Sequence, residues 1–105
     1  MTMPTVTTSV ILTNEVGLHA RPSVKLTQLA KSFACAVEIA LAPDGPWIDA
    51  KSPVKVMRMK APRGTRLHVR AAGANAHAAA RTMVALIERR FDEAEPEPKI
   101  SPAND

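Results

Sequence analysis

Apolar residues alternate with polar ones in some stretches of this chain and recur every third or fourth position in others. In Val6-Thr7-Thr8-Ser9-Val10-Ile11-Leu12 the residues are mostly β-branched, and Val6, Thr8, Val10 and Leu12 share one face, which predicts a first strand. A polar, glycine-containing stretch from Thr13 to Gly17 follows. From Arg21 to Phe33 the period changes. Leu26, Leu29, Ala30 and Phe33 fall at helical spacing, with Lys25, Gln28 and Lys31 turned elsewhere, and Pro22 suits the first turn of the helix. Cys35, Val37, Ile39 and Leu41 then alternate with Ala36, Glu38 and Ala40, a second strand. Pro43-Asp44-Gly45-Pro46 turns the chain, and Trp47-Ile48-Asp49-Ala50 can return as a short paired strand. Ser52-Pro53 opens a brief helix carrying Val56, Met57 and Met59, which Pro62-Arg63-Gly64 ends. Leu67, Val69 and Ala71 alternate with Arg66, His68 and Arg70, a strand with one buried and one basic face. The spacing of Ala79, Met83, Val84, Ile87 and Phe91 predicts a long amphipathic helix over residues 75–91.

Strand, helix, strand, strand, short helix, strand, long helix is the order of an α+β domain, with helices covering one face of an antiparallel sheet and solvent the other. Residues 94–105 contain three prolines and little to bury, so a disordered acidic tail is expected after a domain at 1–93. At 105 residues there is room for one modest core, and with aromatics at 3% and no tyrosine it must be built from Val, Ile, Leu, Met and Ala. A single cysteine, Cys35, allows no internal disulfide and is expected to pack in the sheet. No apolar run approaches the roughly 20 residues of a bilayer-spanning helix, and Met1-Thr2-Met3-Pro4-Thr5 has no secretory character, so a cytoplasmic protein without membrane contact is expected.

Charge changes this picture. Residues 1–91 hold 13 Lys/Arg against 5 Asp/Glu, a balance of +8, and residues 92–105 hold 1 against 5, a balance of −4. Eight basic residues and no acid lie between Ala50 and Ile87, so part of the surface attracts anionic partners: nucleic acid, acidic proteins or phosphorylated ligands. The most informative stretch is Gly17-Leu18-His19-Ala20-Arg21-Pro22, which leaves His19 immediately before the first helix. The leading amides of a helix point out of its end unpaired and carry partial positive charge, so an anion on or beside His19 would be stabilised there. Arg21 adds a permanent cation whose fork fits phosphate oxygens. Neutral imidazole is a competent nucleophile, and Gly17 allows the loop to approach tightly. The residues describe a histidine poised to accept a phosphoryl group or to bind an oxyanion.

This stretch resembles the active-site motif of the HPr family, the histidine phosphocarriers of the bacterial phosphoenolpyruvate-dependent phosphotransferase system. The likeness runs from about residue 5 to 93 and includes Ala50-Lys51-Ser52, Gly64-Thr65 and Arg89-Arg90-Phe91-Asp92-Glu93, the last closer to the nitrogen-related and proteobacterial branches. The resemblance implies an open-faced sandwich, a four-stranded antiparallel sheet with three helices on one face. It implies that His19 takes a phosphoryl group on Nδ1 from phosphorylated enzyme I and passes it to a histidine of an enzyme IIA protein, with Arg21 orienting and neutralising the group. Positioning and charge stabilisation suffice for that chemistry, so no cofactor, metal or nucleotide site is required.

The resemblance also places Ser52 where some relatives are phosphorylated, which would make a serine kinase/phosphorylase a further partner. Pro53 and Lys55 depart from the usual residues after that serine, and Ser52 equally reads as the N-cap of the short helix. Carried over by position, the docking surface would be Ala20, Val24, Pro53, Val54 and Met57, with Lys25, Lys31 and Arg58 as nearby cations. Val54 and Met57 read equally well as inward-packing. His68 and His77 read as surface residues, and Trp47 has no evident role.

Three functions follow from these features: a phosphocarrier, expected to be a monomer because it must offer one surface to successive partners; a regulatory binding module of the same fold; and a small nucleic-acid binder. The last lacks the aromatic stacking platforms and the G-x-x-G clamp that its class uses, so no nucleic-acid partner is expected.

Overall fold

In the computed structural model, which describes residues 4–92, the chain runs β1 (Thr5–Ile11), α1 (Ala20–Lys31), β2 (Ala36–Ala40), β3 (Ile48–Asp49), α2 (Pro53–Arg58), β4 (Arg66–Ala72) and α3 (Ala76–Glu88), followed by a short turn at Arg90–Asp92. The four strands form one antiparallel sheet in the order β1-β4-β2-β3. β4 lies between β1 and β2, with Val69 opposite Thr8 on one side and Ile39 on the other. Alternation places Val10, Leu67, Val69, Ala71, Val37 and Ile39 on the face that the helices cover, where they meet Leu26 and Ala30 of α1 and Ala79, Ala80, Met83 and Ile87 of α3. The predicted open-faced α+β sandwich is the architecture of the chain. No helix among the described residues is long and apolar enough to cross a membrane.

Several local expectations are corrected. The alternation of the second strand does not reach Leu41, because β2 ends at Ala40 and the chain turns there, with Gly45 N–H donating to the Ala42 carbonyl. Leu41 is left 47% exposed while Ala40 is fully buried. α1 stops at Lys31, two residues short of Phe33, which packs against the core from the loop. The long final helix stops at Glu88. Arg90, Phe91 and Asp92 then take φ near +57°, a left-handed turn that swings the fully buried Phe91 back under α1 and α3. Arg89 Nε donates to Asp92 Oδ1 at 2.8 Å across this turn. That hydrogen bond holds the Asp92 carboxyl below its ordinary range and raises Arg89.

The other face of the sheet is not wholly left to solvent. Arg70 donates from Nε and Nη2 to Glu38 Oε1 at 3.0 and 2.8 Å across the β2–β4 pair, and its guanidinium lies 4.2 Å from the centre of the Trp47 ring. Trp47, whose sequence context assigned it no role, stacks on the arginine of a cross-strand ion pair.

Candidate functional site

Everything that holds His19 is local chain geometry plus one tertiary anchor. Asn14, 1% exposed, donates from Nδ2 to the Gly17 carbonyl at 2.8 Å, and Gly17 N–H returns to the Asn14 carbonyl at 3.3 Å, closing the loop before the helix. Gly17 has φ +62°, and a Cβ there would collide with the Ala61 carbonyl oxygen and the Pro62 backbone, so only glycine fits this crossing. Leu18 is sunk in the core and its N–H donates to the Ala61 carbonyl at 2.8 Å, tying the loop to the segment that follows α2. His19 is thereby held at the N-cap of α1 in extended backbone (φ −80°, ψ −173°), with its carbonyl accepting from Ser23 N–H at 2.9 Å.

The imidazole makes no capping hydrogen bond and is exposed. Pro22, buried in the first turn, has no N–H to satisfy, so the amides of Ala20 and Arg21 are the ones that open out of the helix end beside the ring. The Arg21 guanidinium is exposed, with no partner among the described residues. An unengaged imidazole, two open amides and a free guanidinium at one helix end can accept a group that brings negative charge with it.

An apolar surface surrounds this end. Val24 shares the helix face of Ala20, four residues on, and is 41% exposed. Val54 and Met57 are 54% and 38% exposed on the outer side of α2, whose inner side is Val56. Both therefore face outward. Pro53 begins α2 half-buried, and Arg58 is exposed at its last turn. Beside His19 lies a shallow groove of about 450 Å³, lined by Val16, Leu18, His19, Ala20, Met57, Lys60, Ala61 and Pro62.

Two of the expected rim cations stand apart from the cluster. Lys25 donates its ammonium to the Phe91 carbonyl at 2.7 Å, satisfying an open carbonyl of the C-terminal turn instead of standing free. Lys31 ends α1, about 16 Å along the axis from Ala20 at 1.5 Å per residue. Three residues that sequence reasoning passed over line this groove: Val16, 49% exposed, Lys60 and the buried Ala61. An apolar residue in the otherwise polar loop 13–17 was the available signal for Val16; nothing local marked Lys60.

Ser52 is the N-cap of α2, its Oγ accepting from Lys55 N–H at 3.4 Å. Lys51 Nζ donates to the Phe33 carbonyl at 2.8 Å, so the start of α2 lies by the end of α1, and its other end, at Met57, lies by His19. Ser52→Ala is expected to lower stability by about 0.5–1 kcal/mol, the low end for a lost cap because the bond is long; urea unfolding measures it. His68 lies half-buried on the helix-free face of the sheet and His77 is exposed at the start of α3; neither reaches the site. Cys35 is buried.

Known proteins resemble this chain in sequence and in fold. Residues 6–89 match the family described as "PTS HPr component phosphorylation site". The phosphocarrier protein HPr of Pseudomonas aeruginosa is 37% identical over 93 residues, covering 89% of this chain and 100% of that protein. The HPr of Cupriavidus necator is 40% identical over 82 residues, 78% and 90% of the two chains. The phosphocarrier protein NPr of Escherichia coli K12 is 33% identical over 90 residues, 85% and 98%. Among solved structures, HPr from Thermoanaerobacter tengcongensis superposes with a TM-score of 0.77 at 28% identity, covering 86% of this chain and 99% of that one. With the family's phosphorylation-site region spanning nearly the whole folded chain, and full-length relatives matched at these identities, the chain belongs to the HPr family of phosphocarrier proteins.

Proposed function

We propose that His19 accepts a phosphoryl group on Nδ1 from phosphorylated enzyme I of the phosphotransferase system and passes it to an enzyme IIA protein. The observation that carries this reading is the unengaged imidazole at the N-cap of α1, beside the open amides of Ala20 and Arg21 and the free Arg21 guanidinium. In the step, the Nδ1 lone pair of neutral His19 attacks phosphorus. The bond from phosphorus to the donor atom breaks as the new P–N bond forms, and the donor keeps the bonding pair. Nothing is oxidised or reduced. The protein supplies position and charge: the loop through Gly17 and Leu18 fixes the ring, and the helix end and Arg21 hold the phosphoryl oxygens.

The outward-facing Val24, Val54 and Met57 supply the apolar centre of a transient docking surface, with Arg21 and Arg58 at its charged rim. The protein acts in the cytoplasm as a monomer, because each partner must reach the same face in turn. Ser52, at the far end of α2, is the position on which a serine kinase/phosphorylase would act, its phosphate lying at the start of a helix.

The test is phosphorylation from phosphoenolpyruvate with magnesium and enzyme I, in one series of the sugar type and in another of the nitrogen type, read by intact mass. A single acid-labile phosphate is expected. No phosphate from either enzyme I overturns the carrier reading and leaves the regulatory binding module of the same fold.

A further inference from the structure

Lys60 is the residue that ends α2 and turns the chain under His19, and it does so at a conformational cost. Its φ is +50°, a left-handed conformation that glycine adopts freely and a lysine does not. The fold demands that conformation. Lys60 N–H donates to the Met57 carbonyl at 3.2 Å, closing the helix, and the turn brings Ala61, fully sunk beneath the site, to where its carbonyl receives Leu18 N–H and crosses Gly17. The backbone requirement would be met better by glycine, so the side chain needs a separate reason to be there.

A lysine at a helix C-terminus complements the helix dipole, but α2 already carries Lys55 and Arg58 in its last turn. Nor does the side chain hold the fold together. It is exposed and, among the described residues, makes no hydrogen bond or ion pair beyond its backbone N–H. It lines the same groove as His19 and the apolar Val16 and Met57. The site thus offers an apolar hollow whose lining also holds one free cation and His19.

Resting on the carrier reading, we propose that Lys60 determines specificity for the phosphoryl donor protein: its ammonium receives a carboxylate of that protein while an apolar side chain beside the carboxylate enters the groove between Val16 and Met57. Charge complementarity supports an acidic partner, since residues 50–87 contain no acid and residues 1–91 carry 13 basic side chains against 5 acidic ones. Lys60 touches no reacting atom in this scheme; it sets how the donor is seated over His19.

The strain gives the experiment its discriminating power, because Lys60→Gly moves stability and docking in opposite directions. Lys60→Gly is expected to melt at or above the wild-type temperature, as the left-handed penalty is removed. Steady-state phosphorylation of His19 by enzyme I is expected to show KM for the carrier raised about fivefold at low salt with kcat unchanged, and the difference shrinking at roughly 0.5 M salt, where exposed charges are screened. Lys60→Glu is expected to raise KM further and Lys60→Arg to stay near wild type. Unchanged KM in Lys60→Gly overturns the proposal, as does a lower kcat at constant KM, a melting temperature below wild type, or an Arg variant as poor as the Gly variant. Those failures occur in a protein that is still phosphorylated. A wild type that takes no phosphate from enzyme I overturns the carrier reading itself, and this proposal with it.

Discussion

His19→Ala is expected to fold as the wild type does and to carry no acid-labile phosphate. The imidazole makes no capping bond and is exposed, so its removal costs the fold within about 0.5 kcal/mol, the range of surface substitutions. The chemistry has no substitute. His68 on the helix-free sheet face and His77 at the start of α3 stand away from the open amides of α1, and the arginines that flank His68 are engaged, Arg66 by Ser9 and Arg70 by Glu38. Arg21→Ala separates nucleophile from charge. It leaves Nδ1 intact and is expected to slow phosphorylation about 100-fold, the scale of losing one preorganised donor at a developing charge, while the final stoichiometry stays at one phosphate. Rapid-quench phosphorylation followed by intact-mass analysis measures both variants. A phosphate retained by His19→Ala would place the nucleophile elsewhere.

The largest structural effect is expected from Gly17→Ala. Two costs combine there: a left-handed φ for a residue with a Cβ, about 1–2 kcal/mol, and a collision with the Ala61 carbonyl and Pro62 backbone that only a shift of buried chain can relieve, about 1–3 kcal/mol. A loss of about 2–5 kcal/mol lowers the melting temperature by roughly 10–30 °C in a domain of this size. Gly64→Ala isolates the first cost. Its φ is +93°, yet a Cβ there meets nothing within 4 Å, so only the conformational penalty of about 1–2 kcal/mol is expected. Denaturant unfolding of the two variants side by side gives the collision term as their difference. Equal losses would mean that the crossing of Gly17 over Ala61 yields without cost. Because that crossing also seats Leu18 and fixes the ring of His19, whatever fraction of Gly17→Ala remains folded is expected to accept phosphate more slowly.

How much of this was legible beforehand depended on how far apart the interacting residues lie. The alternation in Val6–Leu12 and Leu67–Ala71 and the helical spacing of Leu26 with Ala30 and of Ala79 with Met83 identified the strands, helices and buried faces, because burial on one side of a regular element leaves its period in the residues themselves. Pro22 in the first turn of α1 and Ser52 as the cap of α2 were equally readable, each being a short-range demand of a helix end. The centre of the proposed site is local in the same sense: glycine, histidine, arginine and proline in six consecutive residues specify a tight loop, an exposed imidazole, a cation and a helix start without reference to the rest of the chain.

Periodicity misled where an element ended early. Leu41 kept the strand's rhythm after β2 had stopped, and Phe91 kept the helix's rhythm although it reaches the core through three left-handed residues. In both places the end of the element is decided by a turn, which the count of apolar positions does not register. Long-range contacts were out of reach altogether. Lys25 was assigned to the rim by position from the family resemblance, but its ammonium is taken by a carbonyl 66 residues away, and Trp47 found its place against Arg70 only once β2, β3 and β4 were paired. Val54 and Met57 fitted either side of a six-residue helix until Val56 was seen to occupy the inner one. Lys60, forty-one residues after His19, has no local feature that ties it to the site; the two share a groove because Leu18 hydrogen-bonds to Ala61 and Gly17 has no side chain to keep the strands of chain apart. A nucleophile and its helix end are local chemistry and are written in adjacent residues, whereas the walls of a docking groove are made by whichever distant segments the core brings together.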